Sequence, residues 1–115
     1  DILSLFEAVA KGTLEDVAFH LDDRFCTTVM LVSQGYPGDY EKGKVITGLS
    51  DVDGSIVFHA GTKLADCQMV TNGGRVIAVS SFGSNMREAL AQSYANVVKI
   101  HFEGVNFRRD IGFDL

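Results

Sequence analysis

The sequence predicts a single α+β domain built on a mostly antiparallel sheet flanked by helices. Three observations carry that expectation: helical spacing near both ends of the chain, several short β-branched runs between them, and Gly-rich turns joining those runs. A chain of 115 residues, 46% hydrophobic and 22% charged, suits one core with no room for a second sizeable one. The expected domain spans residues 1–115.

The elements follow in order. Residues 2–11 carry Ile2, Leu5, Phe6 and Val9 at helical spacing, and Gly12 is a fitting stop. Val17, Phe19 and Leu21 alternate with Ala18 and His20, which predicts a short strand before the turn Asp22-Asp23-Arg24. Residues 25–33 are nearly all apolar or Thr and predict a central strand buried on both faces. Residues 34–44 hold three Gly, one Pro, two Tyr and four charges without periodicity, so a long loop is expected there. Residues 45–48 predict another short strand, residues 51–54 a turn, and residues 55–59 a strand. Residues 68–71 and 75–82 predict a hairpin across Asn72-Gly73-Gly74, where positive φ is easily adopted. Asn85 is placed to cap a helix, with Glu88 as its capping-box partner. Met86, Leu90, Tyr94, Val97 and His101 step along one face of that helix, and Gly104 closes it.

Composition narrows the function classes. A net charge of −5 argues against a general nucleic-acid binder, because phosphate backbones demand clustered Lys and Arg. No run approaches the roughly 20 apolar residues of a membrane span, so no membrane partner is expected. Cys26 and Cys67 lack metal or Cys-x-x-Cys spacing and read as buried free thiols in a cytoplasmic protein, with a disulfide as the alternative. The chain opens on Asp1 without an initiator Met, which reads as a sequence entered part-way.

Catalysis has little support in the residues themselves. His20, His59 and His101 are scattered, and no metal spacing, nucleophile elbow or Gly-rich nucleotide fingerprint occurs. The cations are more informative. Lys42, Lys44, Lys63 and Arg75 stand beside Gly-rich turns. Glycines let a ligand approach backbone N–H donors, and Arg binds phosphate bidentately. Gly61-Thr62-Lys63 and Asn72-Gly73-Gly74-Arg75 therefore form either a phosphate or carboxylate pocket, or an ordinary turn with solvated cations.

Four stretches carry a resemblance. Gly35-Tyr36-Pro37-Gly38-Asp39-Tyr40-Glu41-Lys42-Gly43, residues 57–62, residues 70–76 and residues 100–112 resemble, in order, the C-domain motifs of phosphoribosylamine–glycine ligases. These are ATP-grasp enzymes of purine biosynthesis. The resemblance implies a C-domain like that of biotin carboxylase, the rudiment single hybrid motif. It implies a parent reaction joining glycine to 5-phosphoribosylamine at the expense of ATP. By that resemblance ATP and Mg²⁺ (or Mn²⁺) would be held by ATP-grasp domains before Asp1. This chain would pack on those domains, close one side of the active site and be inactive alone. The implied phosphate-binding residues are Lys63 and Arg75, with Gly74 and Asn72. The implied active-site wall is Tyr36, Pro37, Lys42, Lys44, His59 and Thr62. Apolar surface for the missing body is expected at Leu3, Leu5, Phe6 and around Phe107. A stand-alone small-molecule or interaction module sharing the fold is the alternative.

Overall fold

The computed structural model describes residues 1–113, so the last two residues of the expected domain lie outside it. Helix α1 spans Ile2–Lys11. Asp1 caps it by accepting from the Leu3 N–H, and Gly12 ends it in the left-handed conformation, φ 70°. Strands β1 (Phe25–Val32), β2 (Ile56–His59), β3 (Thr62–Ala65), β4 (Gln68–Thr71) and β5 (Arg75–Gly83) follow, and helix α2 (Met86–Val97) closes the series. All strand pairing is antiparallel, in a three-stranded sheet ordered β1-β5-β2 and a two-stranded sheet of β3 and β4. The predicted α+β class is the observed one.

Several elements differ from expectation. The central strand is β5, whose run from Val76 to Ser81 is buried throughout. β1 is an edge strand. Its Val29 and Leu31 are buried, whereas Cys26 and Thr28, on the opposite face, are exposed. Helix α2 covers the face that carries Thr27, Val29 and Leu31, and the alternate side chains point away from it. Residues 17–21 form no strand, because no neighbouring strand offers them hydrogen bonds. Residues 45–48 make only isolated bridges, Val45 with Val70 and Thr47 with His101.

The expected hairpin is also rearranged. β4 pairs with β3, and β5 pairs in the other sheet, so Asn72-Gly73-Gly74 passes between sheets. The true hairpin turns at Asp66 and Cys67, with φ of 48° and 62°, the double positive φ of a tight two-residue hairpin turn. Both cysteines are free and exposed, not buried. Cys67 sits on that turn, and Cys26 on the uncovered face of β1.

Helix α2 starts where expected: Asn85 accepts from the Glu88 N–H, and Glu88 Oε2 accepts from the Ser84 N–H rather than from Asn85. The helix ends before His101, and its buried residues are Ala89, Ser93, Asn96 and Val97. That is a true i, i+4, i+7, i+8 stripe, but half of it is polar. Those polar groups are paired. Ser93 donates to Ser81 at 2.9 Å, Ser81 meets Ser55 at 2.7 Å, and Asn96 Nδ2 donates to Ser55 at 2.7 Å. No buried side-chain N or O among the described residues lacks a partner. Met86, Leu90 and Tyr94 are only half-buried, beneath the tail. The Tyr94 hydroxyl donates to the Arg108 carbonyl and accepts from the Ile111 N–H. The core lies between α2 and the sheet, with Leu31, Ile77, Val79, Val97 and Phe102 at its centre.

Candidate functional site

The loop after β1 is long but not loose. At its start, the Ser33 N–H donates to the Gly74 carbonyl at 2.8 Å, and Ser33 Oγ donates to the Gly73 carbonyl at 3.0 Å. At its end, the Gly43 N–H donates to the Thr71 carbonyl and the Thr71 N–H to the Lys44 carbonyl. Both feet of the loop thus stand on residues 71–74. A third segment joins them: the Asn72 N–H donates to the Gly61 carbonyl, and the Gly61 N–H to the Arg75 carbonyl. Residues 33–36, 60–62 and 72–75 form one seam.

Glycine is needed in that seam for space, not for turn conformation. Gly73 and Gly74 keep φ outside the left-handed range. A Cβ on Gly61 would stand 2.5 Å from the Arg75 carbonyl oxygen and 2.7 Å from Gly73 Cα. A Cβ on Gly74 would stand 2.1 Å from Cδ2 of Tyr36, so the tyrosine ring occupies the room that residue 74 leaves empty. The Tyr36–Pro37 peptide is cis.

The seam borders two adjoining clefts. One, of about 590 Å³, is lined by Met30, Tyr36, Tyr40, Ala60, Gly61, Gly74 and Arg75. The other, of about 530 Å³, is more apolar; Met30, Tyr36, Pro37 and Arg75 line it with Phe107, Arg108 and Ile111. Met30, Tyr36 and Arg75 are common to both.

The structure brings together only part of the sequence-derived set. Tyr36, Pro37, Gly74 and Arg75 meet at the clefts. Lys63 lies on β3 opposite Val70 and is exposed, two residues from Gly61 but off the cleft lining. Thr62 and His59 bond to each other, Nδ1 to Oγ1 at 3.0 Å. Asn72 and Lys42 are exposed beside the seam. Lys44 is engaged elsewhere, 2.8 Å from Glu41 and 3.1 Å from Glu103. Its hydrogen bond holds the Glu41 carboxyl below its ordinary range, and Glu41, then Glu103, raise the Lys44 ammonium. Arg108 forks onto Asp110 with two bonds of 2.9 Å, which lowers the Asp110 carboxyl. Lys42, Lys63 and Arg75 form no ion pair among the described residues. Their charge is available to an outside anion.

Met30, Tyr40 and Ala60 were not singled out in the sequence. Met30 had a signal, since it alternates with the buried Val29 and Leu31 and must face the other way. Phe107, expected as exposed docking surface, instead packs half-buried against the core and tilts onto Tyr94. Leu3 and Phe6 are exposed as expected, at 68% and 61%, and Leu5 is half-buried. Among the described residues no three His, Cys, Asp or Glu side chains gather as a metal group. Among the described residues no helix is long and apolar enough to cross a membrane.

The family of the phosphoribosylglycinamide synthetase C domain matches residues 26–114. The chain belongs to that family. Similar curated proteins carry the ligase name. A phosphoribosylamine–glycine ligase of Nostoc is 55% identical over 75% of this chain and 21% of its own. That of Caldanaerobacter subterraneus is 40% identical over 96% of this chain and 27% of its own. That of Escherichia coli K12 is 43% identical over 98% and 27%. The crystal structure of phosphoribosylamine–glycine ligase from Thermotoga maritima superposes with a TM-score of 0.75 and 34% identity, over 91% of this chain and 27% of that one. The chain thus spans about a quarter of the length of the relatives it matches. The family membership inferred from the four motifs holds, and the seam joins parts of three of them.

Proposed function

We propose that this chain is the C-terminal, substrate-closing domain of a phosphoribosylamine–glycine ligase. In that reaction ATP, glycine and 5-phosphoribosylamine give ADP, phosphate and glycinamide ribonucleotide. Glycyl phosphate is the intermediate, and its phosphate leaves when the amine attacks. ATP and a divalent ion supply the leaving group and charge neutralisation when bound to the ATP-grasp part of the ligase. The role of this chain is binding and enclosure.

The observation that carries the reading is an unpaired Arg75 on a cleft walled by Gly61, Gly74 and two tyrosines. Arg75 holds the 5′-phosphate of phosphoribosylamine bidentately, where close-packed glycine backbone leaves room for the anion. Lys63 adds a second cation from the adjoining hairpin, with Asn72 beside it. Tyr36 and Pro37 form the wall that excludes water. Lys42 stands free near the loop's end, whereas Lys44 braces the loop through Glu41 and Glu103. The setting is cytoplasmic, and the partners are the ligase's own ATP-grasp domains.

Two measurements test this. The chain alone should show no glycine-dependent ATP hydrolysis, and turnover by it would overturn the enclosure role. In the ligase, Arg75→Ala should raise KM for phosphoribosylamine about tenfold or more, the loss of a charged hydrogen-bond pair, with the ATP constant unchanged. An unmoved KM for phosphoribosylamine removes Arg75 from the site.

A further inference from the structure

Arg75 accounts for an anion, but not for the shape of the cleft around it. Tyr36 lines both clefts beside Arg75, and its ring lies where a side chain on residue 74 would be. The ring is held there. Its backbone N–H donates to the Ser33 carbonyl at 3.1 Å, and Ser33 is itself bonded to Gly73 and Gly74. Yet Tyr36 stays 39% exposed, and its hydroxyl makes no hydrogen bond among the described residues. Tyr40 lines one of the clefts with it, its ring centroid 6.3 Å away and tilted by 60°. An anchored aromatic face, open to solvent and next to an unpaired guanidinium, suits a molecule with an anionic end and a C–H-rich body.

We propose that Tyr36 is a specificity-determining residue that reads the sugar of a phosphorylated sugar while Arg75 holds its phosphate. The inference rests on the phosphate role given to Arg75 above. The sugar's C–H face packs on the Tyr36 ring, with Tyr40 closing the side. Gly74 is the condition for this arrangement, because any side chain there displaces the ring. The site therefore carries one Arg and one aromatic wall, and it discriminates a phosphorylated sugar from a bare phosphate ion.

The test is a titration of the chain with two probes, ribose 5-phosphate and inorganic phosphate, followed by the backbone amide signals of Gly61, Gly74 and Arg75. The dispersion of the same spectrum verifies that each variant is folded. Tyr36→Ala should weaken ribose 5-phosphate roughly three- to tenfold, the size of an aromatic packing contact, and leave inorganic phosphate binding where it was. Tyr36→Phe should restore the sugar-phosphate affinity lost in Tyr36→Ala, and Gly74→Ala should behave like Tyr36→Ala. Arg75→Ala should abolish binding of both probes. Equal weakening of both probes by Tyr36→Ala overturns the sugar-reading role and leaves Tyr36 structural. No weakening of either, with Arg75→Ala still losing both, overturns it while the phosphate reading stands. If the unaltered chain binds neither probe, the phosphate reading falls and this one falls with it.

Discussion

Residues 1–24 and the seam of residues 33–36, 60–62 and 72–75 are both well-formed, and they are held in opposite ways. α1 has good local credentials: a side-chain cap, a left-handed Gly stop, and a Glu7–Lys11 pair at 2.6 Å. Yet Ile2, Leu3, Phe6 and Val9 are 60% or more exposed. Among the helices and strands α1 has no close partner; it meets the short turn at Leu14–Asp16 and borders a cleft with residues 17–21. The seam has no regular element across its loop, but backbone hydrogen bonds join three distant segments, and its glycines touch. The described chain is correspondingly long, with a radius of gyration of 17.1 Å against the roughly 13–14 Å of a compact domain this size. Local propensity makes a helix, whereas only long-range contact makes tertiary structure.

The largest test of that contrast is a matched pair of deletions. Phe102 is 1% exposed at the centre of the core, and Phe6 is 61% exposed on α1. Phe102→Ala should cost about 3–5 kcal/mol in urea unfolding, and Phe6→Ala should stay within about 0.5 kcal/mol. A large loss from Phe6→Ala would mean that α1 is docked in solution.

A smaller effect separates two glycines. Gly61→Ala should cost about 1–3 kcal/mol, since the new methyl meets backbone atoms that cannot swing aside. It should also shift the amide signals of Gly73 and Arg75. Gly12 has φ +70° and nothing within 4 Å of an added Cβ. Gly12→Ala should cost about 1–2 kcal/mol of conformational strain, felt in α1 alone. If circular dichroism shows both variants melting the sheet equally, α1 and the seam are one cooperative unit.

The same contrast explains what the sequence disclosed. Features set by neighbours in the chain were legible: the Gly12 stop, the Asn85 cap, the irregular loop and the runs that became β1, β2, β4 and β5. Features set by remote partners were not. Val17, Phe19 and Leu21 alternate well but have no strand to pair with. The Gly73-Gly74 pair looked like a hairpin turn because flexibility and close approach favour the same residue. Asp66-Cys67 made the real turn without a glycine. The buried stripe of α2 was hidden because Ser93 and Asn96 are polar, and partners remote in the chain, Ser81, Ser55, Thr27 and the Asp53 backbone, make their burial tolerable. At the clefts, Tyr36, Gly74 and Arg75 were found through their motifs. Tyr40 lies in the same motif as Tyr36, and Met30 alternates with buried neighbours on β1, but the fold is what brings both to the cleft.

The smallest expected effect sets a long-range ion pair against a local one. Lys44 ties the loop to Glu103, 59 residues away, and also binds Glu41. In residues 1–24, Arg24 holds Asp22 at 2.7 Å, only two residues away, and lowers that carboxyl to about 2. Both carboxylates, Glu41 and Asp22, have depressed values in the folded chain. Each therefore contributes stability above its unfolded value and loses it as pH falls through its folded value. For Glu41 that loss begins below about pH 4.5, its ordinary value, and for Asp22 it extends to about pH 2. Acidification should first loosen the loop at its Glu41–Lys44 bond, seen as faster amide exchange at residues 41–44 with the sheet amides still protected. Protonation of Asp22 near its lower midpoint should change only the signals of residues 22–24, because its partner is its near neighbour. Both pairs are exposed, so added salt should weaken each of them. Loop release that tracks Asp22 rather than Glu41 would show that the arm before β1 holds the loop after all, and the separation between the two regions would fail.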